Sequence, residues 1–346
     1  MRTCSCLLAN IPVAPVFRQS RRCYARGVPD AAAISVDRLV VNRGGRRVLD
    51  EITFDVGPGE IVGLIGPNGA GKTTTLAVLS TLLAPDAGEV RIAGHDLRRA
   101  PQAVRRSIGR VPQETALYPT LTGRENAAFF ARLGGARAAD ARRAADTALE
   151  QIGLAARADE RTAVYSGGMQ RRLSLACGLL GSPPVLLLDE PTVGVDPQSF
   201  ESIVVAIRAH AKGGAGLLYS THNMEEAEQL CDRVVLIDRG RVVATGAPGQ
   251  LIRGALPGLL IDVVTNEALP RDWLGDLAGA REIAAPAATG RSAPHGIAAR
   301  AALEDVELAP RVLERAARER TVLDFRVHRP SLHDAFLTLT GRAPRD

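Results

Sequence analysis

From Ile34 onward the chain moves through two kinds of hydrophobic pattern. Val48–Val56 alternates apolar and polar residues, which predicts a half-buried strand. Glu60–Gly66 is instead a short, nearly continuous apolar run between Gly-Pro-Gly and Gly-Pro-Asn, as expected of a strand buried on both faces. From Gly71 to about Leu83 the pattern changes to a helical one, with Leu76, Leu79 and Leu83 on one face. Val185–Asp189 and Gly216–Ser220 predict two more buried strands, each followed by a helical segment. Such alternation implies an α/β fold, a mainly parallel sheet with helices packed on it. Between about residues 114 and 165 strand signals vanish and Ala/Arg/Leu helical periodicity takes over, predicting an all-helical insert. Val234–Ile237 and Arg241–Ala244 flank Asp238-Arg239-Gly240 as a hairpin.

A second, smaller region begins after Pro257, with strands expected near Leu259–Val264 and Val322–Val327 and a Pro/Gly/Ala-rich loop at residues 285–296. Ser331-Leu332-His333-Asp334 has the form of a capping box for a last helix, Asp334 replacing the usual Glu or Gln. Trp273 and Phe336 read as core residues. The other end differs in kind. Arg2, Arg18, Arg21, Arg22 and Arg26 precede the first acid, Asp30, and no period is sustained. The segment is Arg-rich and acid-poor like an organellar transit peptide, but with few serines and little amphipathicity, so an unstructured leader or a start codon placed too far upstream is expected. The chain therefore divides into 1–32, a main domain at 33–255 and a small α+β accessory domain at 256–346.

Composition narrows the function. With 46% hydrophobic and 23% charged residues the chain carries a globular core and is not intrinsically disordered. Aromatics are 3%, which leaves little for base-stacking platforms. The net charge of +5 is carried largely by the five leader arginines, so the rest is near neutral and nucleic acid is not an expected partner. Only Lys72 and Lys212 are lysines among 43 basic residues, a bias toward arginine that runs through the whole chain. No apolar run reaches the ~18 residues of a membrane span; Leu173–Leu188 is broken by Ser182-Pro183-Pro184. The five cysteines form neither a disulfide framework nor a zinc spacing, which fits a reducing compartment.

The chemistry concentrates in Gly66-Pro67-Asn68-Gly69-Ala70-Gly71-Lys72-Thr73, which satisfies G-x(4)-G-K-[ST] between a predicted strand and a predicted helix. Glycines let successive N–H groups converge on phosphate oxygens, and the helix start, with Thr74 in its first turn, adds its positive end. Lys72 supplies a mobile charge to the β- and γ-phosphates, and the Thr73 hydroxyl suits Mg²⁺. Val185–Asp189 is an apolar strand ending in a carboxylate placed to hold the same metal. Glu190 follows at once, where a base for the attacking water belongs, and His222 follows the strand Gly216–Ser220, in reach of a γ-phosphate.

Taken with Tyr165-Ser166-Gly167-Gly168-Met169-Gln170, Leu188-Asp189-Glu190-Pro191-Thr192, Val111-Pro112-Gln113, Gly194-Val195-Asp196-Pro197 and Ser220-Thr221-His222, the chain resembles the ATP-binding cassette (ABC) ATPases from about Ile34 to Leu251. These segments are similar, in order, to the family's signature, second phosphate motif, Q-loop, D-loop and switch histidine. The resemblance implies a P-loop NTPase cassette: a mainly parallel sheet, an antiparallel β subdomain and the helical insert. It implies ATP and Mg²⁺ as ligands, Thr73, Gln113 and Asp189 at the metal, and Glu190, His222 and Gln113 in catalysis. It further implies a head-to-tail homodimer or paired cassette, in which Ser166, Gly167 and Gly168 of one chain complete the phosphate site of the other, and it counts Asp196 among the nucleotide-binding residues. Two positions depart from the family: Arg43 stands where an adenine-stacking aromatic is usual, and Tyr165 where the signature has leucine.

Thr221–Glu228 and Arg329–Leu337 are similar to the ABC-2 exporter branch with its daunorubicin-resistance-type ATPases. That branch implies a separate transmembrane permease and a peripheral position on the cytoplasmic face of the cell (inner) membrane. Leu117 and Tyr118 follow Gln113, where the family docks the permease's coupling helix, and are expected either to meet that helix or to pack in the core. The alternative is a soluble ABC ATPase acting on nucleic acid or the ribosome. A single cassette, no sustained heptads and no zinc cysteines weigh against it.

Overall fold

In a computed structural model of the chain, the described residues are 32–256, 258–270, 272–283 and 297–340. Most of the leader, with Cys4, Cys6 and Cys23, and the loop at 285–296 lie outside them. The first elements are β1 (Ile34–Arg43), β2 (Arg46–Val56), β3 (Ile61–Ile65), α1 (Lys72–Leu79), β4 (Ala87–Ile92), β5 (His95–Asp96), α2 (Pro101–Ser107) and β6 (Ile108–Val111). The helical insert follows as α3 (Gly123–Leu133), α4 (Ala138–Gln151) and two short 3-10 turns, leading into α5 (Gly167–Leu179). Next come β7 (Val185–Asp189), α6 (Pro197–Lys212), β8 (Gly216–Thr221), α7 (Met224–Leu230), β9 (Arg233–Asp238), β10 (Arg241–Gly246) and α8 (Pro248–Ala255). The remainder is β11 (Leu259–Thr265), β12 (Ala280–Ile283), β13 (Ile297–Leu303), α9 (Ala309–Glu319), β14 (Val322–His328) and α10 (Leu332–Thr340).

The central sheet has the order β10-β9-β3-β8-β7-β6, parallel except for the β9–β10 hairpin. Its strands read as unbroken apolar runs because both faces are covered. Val62, Leu64, Val185, Leu187 and Leu218 face a core shared with α1 and a separate antiparallel sheet, β2-β1-β4-β5. Ile61, Ile65, Leu186, Leu188, Leu217 and Tyr219 face a second core built with α6 and α7. Alternate residues of each strand therefore fill two cores, the period of two expected of a pleated sheet. The insert has its own aliphatic core, from Ala127 through Leu149 and Leu173. These layers are the α/β fold that the pattern and the resemblance imply.

The helix after the glycine loop is shorter than its pattern predicts. Ser80 turns its hydroxyl back onto the Leu76 carbonyl at 2.5 Å and Thr81 enters the left-handed region at φ 59°, so the helix stops at Leu79 and Leu82 is left exposed. At the other end, β12-β13-β11-β14 form an antiparallel sheet against α9, with Trp273 buried in that core. The capping box at α10 is present: the Asp334 carboxylate accepts from the Ser331 N–H (2.8 Å), and the Ser331 hydroxyl accepts from the Asp334 N–H (3.3 Å). Helix α10 does not pack with that sheet's core. Leu332 and Phe336 join the second core of the main body, beside Met224, Ala227 and Leu230 of α7. The Leu332 N–H donates to Glu228 Oε1 of α7 at 2.5 Å. Behind this joint, buried Arg300 of β13 pairs with Asp262 of β11 and Asp334 of α10.

Candidate nucleotide site

The glycine loop runs from the end of β3 into α1. A Cβ at Gly66 would lie 2.1 Å from the Ile237 carbonyl oxygen, so no side chain fits there. Gly71, the residue before α1, has φ 112°, a conformation open to glycine alone without strain. No side chain caps α1, which leaves its first N–H groups for a ligand. Of the three threonines in its first turn, Thr75 is buried and donates to the Gly71 carbonyl at 2.9 Å, whereas Thr73 is exposed and Thr74 half-buried. Asn68 and Gly69 form the exposed rim and Pro67 and Ala70 its buried base. This narrow, amide-lined turn fits a polyphosphate.

Lys72 is almost fully buried, its Nζ donating to the Gly66 (2.7 Å) and Pro67 (3.2 Å) carbonyls, with Glu190 Oε1 at 3.8 Å. Burial lowers its pKa, against the opposing pull of Glu190 and Asp189. Asp189 closes β7; burial raises its pKa, while a 2.8 Å hydrogen bond from the Ser220 hydroxyl works the other way. A buried carboxylate held this way gains from a nearby cation, so the donor set of Asp189, Thr73 and the phosphate loop fits Mg²⁺ with ATP.

Glu190 is the point where four segments meet. Its Oε2 accepts from Gln113 Nε2 at 3.1 Å, and its Oε1 lies 3.0 Å from His222 Nδ1. The side chain is buried, while Gln113 and His222 are exposed on the open side. Glu190 holds φ 45°, the left-handed region that a non-glycine residue enters at a cost of about 1–3 kcal/mol. Its N–H, bonded to the Ser220 carbonyl at 3.1 Å, helps keep it there.

A second group lies apart from these. Ser166 caps α5, accepting from the Met169 N–H at 3.3 Å, and Gly167 and Gly168 open the helix. Asp196 caps α6, accepting from the Ser199 N–H at 2.9 Å, and a Cβ on Gly168 would meet its Oδ2 at 2.8 Å. Among the described residues no hydrogen bond joins this group to the phosphate loop. The two groups are therefore separate within one chain. Tyr165, the signature variant, is a packing residue: it is buried in the insert's core and its hydroxyl donates to the Arg157 carbonyl at 2.7 Å. Arg43 ends β1, exposed, next to the Gly44-Gly45 turn. Two residues assigned no role from sequence also serve the site. Ser220 binds both Asp189 and the Glu190 backbone, and buried Arg171 of α5 donates to the Pro112 carbonyl at 3.1 Å, tying the signature helix to the segment before Gln113. Ser220 is recognisable by its place two residues before His222; nothing local marks Arg171.

The chain is similar to known proteins over most of its length. The family described as "ABC transporter" matches residues 49–193. The chain is 39% identical to the Nod factor export ATP-binding protein I of Paraburkholderia xenovorans, over 91% of this chain and 99% of that one. It is also 39% identical to a daunorubicin resistance ATP-binding protein of Streptomyces coeruleorubidus, over 89% and 96%. A linearmycin resistance ATP-binding protein of Bacillus subtilis is 35% identical over 88% and 96%. A solved structure described as the ATP binding subunit of an ABC transporter superposes with a TM-score of 0.60 at 33% identity, over 64% of this chain and 92% of that one.

Proposed function

The chain belongs to the ABC transporter ATP-binding family, whose members bind ATP with Mg²⁺ and hydrolyse it, and on that premise we propose how this one works and with what. It is the ATP-hydrolysing subunit of an exporter; its relatives are named as export and drug-resistance ATP-binding proteins. Its partner is a separate transmembrane permease of the ABC-2 type, and its place is peripheral, on the cytoplasmic face of the cell (inner) membrane. No helix among the described residues is long and apolar enough to cross a membrane. A soluble cassette acting on nucleic acid or the ribosome finds no support among the relatives.

The convergence of Gln113, His222 and Lys72 on Glu190 is the observation that carries the mechanism. The residues that would hold Mg²⁺ are Thr73, Asp189 and Gln113; when bound, the ion would supply charge neutralisation for the phosphates. Lys72 steadies those phosphates from inside the loop. Glu190 takes the proton of the attacking water as its oxygen bonds to the γ-phosphorus and ADP departs. Gln113 and His222 orient the carboxylate, and His222 keeps Nε2 for the γ-phosphate. A second copy, turned head to tail, presents Ser166, Gly167, Gly168 and Asp196 across the nucleotide; the separation of the two groups within one chain supports this. Arg43 offers a guanidinium plane to adenine.

On the insert, Leu117 packs inward while Tyr118 is 46% exposed, edge-on to Phe129 with centroids 5.0 Å apart. Tyr118, Phe129 and Phe130 are an aromatic face suited to a permease helix. Purified chain is expected to hydrolyse Mg-ATP and to bind permease-containing membranes more tightly than duplex DNA. The reverse preference would remove the transport reading.

A further inference from the structure

Glu226, on α7 one helical turn beyond His222, gathers donors from three segments. Its Oε2 accepts from Thr192 Oγ1 at 2.7 Å and from the Tyr219 hydroxyl at 2.8 Å, with Thr221 Oγ1 at 3.4 Å. Its Oε1 accepts from Asn223 Nδ2 at 3.3 Å. Thr192 and Tyr219 are buried, and each belongs to a segment carrying a reactive residue. Thr192 lies two positions after Glu190 on the loop leaving β7. Tyr219 and Thr221 are on β8, the latter adjacent to His222. Asn223 caps α7, accepting from the Glu225 (3.0 Å) and Glu226 (3.3 Å) N–H groups.

We infer that Glu226 is a positioning residue for hydrolysis: one carboxylate that ties the Glu190 loop to the His222 loop and so sets the Glu190–His222 contact. The inference rests on the roles proposed above for those two residues. A carboxylate is an acceptor with several lone pairs, so it receives donors from three segments at once, which a single amide oxygen does less completely. Glu190 sits in a strained backbone conformation, and such a residue stays in place only where its surroundings over-determine it. The Ser220 contacts hold its backbone from one side, and the Thr192–Glu226 bond anchors the same loop two residues on. Without Glu226, Thr192 Oγ1 and the Tyr219 hydroxyl still have each other at 2.8 Å, so the core keeps a bond while the loops lose their shared anchor. The loss falls on geometry more than on folding.

The test uses the purified full chain and Mg-ATP. Glu226→Ala is expected to lower kcat about tenfold or more, the scale of a small misplacement of reacting groups, with KM within about twofold. Glu226→Gln, which keeps an acceptor of the same length, is expected to recover most of that loss. In a His222→Ala background Glu226→Ala is expected to add little, because both changes act on one contact. Should Glu226→Ala not fold, Tyr219→Phe carries the same expectation at a loss of about twofold or more in kcat. The inference is overturned if kcat stays at the wild-type value, if kcat and ATP affinity fall together with the melting temperature, or if the His222 and Glu226 losses multiply independently. Glu190→Gln and His222→Ala serve as controls: if they hydrolyse normally, the proposed roles of those residues fail, whereas if they are impaired and Glu226→Ala is not, only this inference fails.

Discussion

Glu190→Gln isolates the proton transfer from everything else Glu190 does. The amide has the same shape, so packing against the buried surroundings is kept. Its oxygen can accept from Gln113 Nε2 where the carboxylate does at 3.1 Å, and its NH₂, at the position that lies 3.0 Å from His222 Nδ1, can donate to that nitrogen in the tautomer with its proton on Nε2. The 3.8 Å contact with Lys72 loses its charge, but Lys72 keeps its two carbonyl bonds at 2.7 and 3.2 Å and lies beside Asp189. Folding stability should therefore change by less than about 1 kcal/mol and ATP affinity by only a few-fold. What disappears is the general base, worth about 10²–10⁴ in rate, or ~2.7–5.4 kcal/mol on the barrier. Phosphate release measured beside binding of a fluorescent ATP analogue separates the two effects, and gel filtration with ATP should show an accumulated dimer. Hydrolysis within tenfold of wild type, with binding intact, would refute Glu190 as the base.

Lys72→Arg is expected to abolish ATPase activity although it keeps the charge, because a planar guanidinium does not fit between the Gly66 and Pro67 carbonyls; exposed Lys212→Arg should leave the rate unchanged. Gly66→Ala forces a Cβ to 2.1 Å from the Ile237 carbonyl, so urea denaturation should show a loss of about 1–3 kcal/mol or more, together with weaker nucleotide binding. The C-terminal sheet should have a pH window. Burial raises Asp262, but hydrogen bonds from His328 and Arg300 outweigh it and hold it at about 2, while bonds from Ser331 and Arg300 hold Asp334 low against its burial. Both folded pKa values lie below the unfolded 3.8, so their stabilisation is complete above that pH and is lost as pH falls toward 2. His328, raised chiefly by its bond to Asp262, contributes fully below its unfolded 6.5 and loses that contribution as pH rises through its higher folded value. Fluorescence of Trp273, the chain's single tryptophan, reports the unfolding of this region; a denaturation midpoint that stays flat between pH 4 and 2.5 would contradict the carboxylate assignment.

What could be read from sequence depended on how local its cause is. Continuous apolar runs such as Ile61–Ile65 and Val185–Asp189 announce strands covered on both faces, and Ser331 with Asp334 announces a helix start through two residues' own chemistry. Strand β13, Ile-Ala-Ala-Arg-Ala-Ala-Leu, carries little β-branching and no clean alternation; pairing with β11 and β12 makes it a strand. At the site, the phosphate loop, Asp189, Glu190 and His222 are legible because each motif must keep its own order. The contacts that bring Glu190 to Gln113, 77 positions away, and Arg171 to Pro112, 59 away, depend on sheet order and helix packing, which no local spacing encodes. The same holds for α10. Its amphipathic pattern says that Phe336 is covered, not by which core.

That α10 completes the core of the main body bears on how the protein is made. A ribosome delivers residues 33–255 first, then the whole accessory sheet, and only afterwards Leu332 and Phe336. Until then the surface formed by Met224, Ala227 and Leu230 has no lid, and the nascent main body carries an open apolar trough. Cutting the gene behind Ala255 would not release a finished domain but a permanently unfinished one, in need of a chaperone or prone to self-association. Supplying the α10 segment as a separate peptide should close that trough in trans.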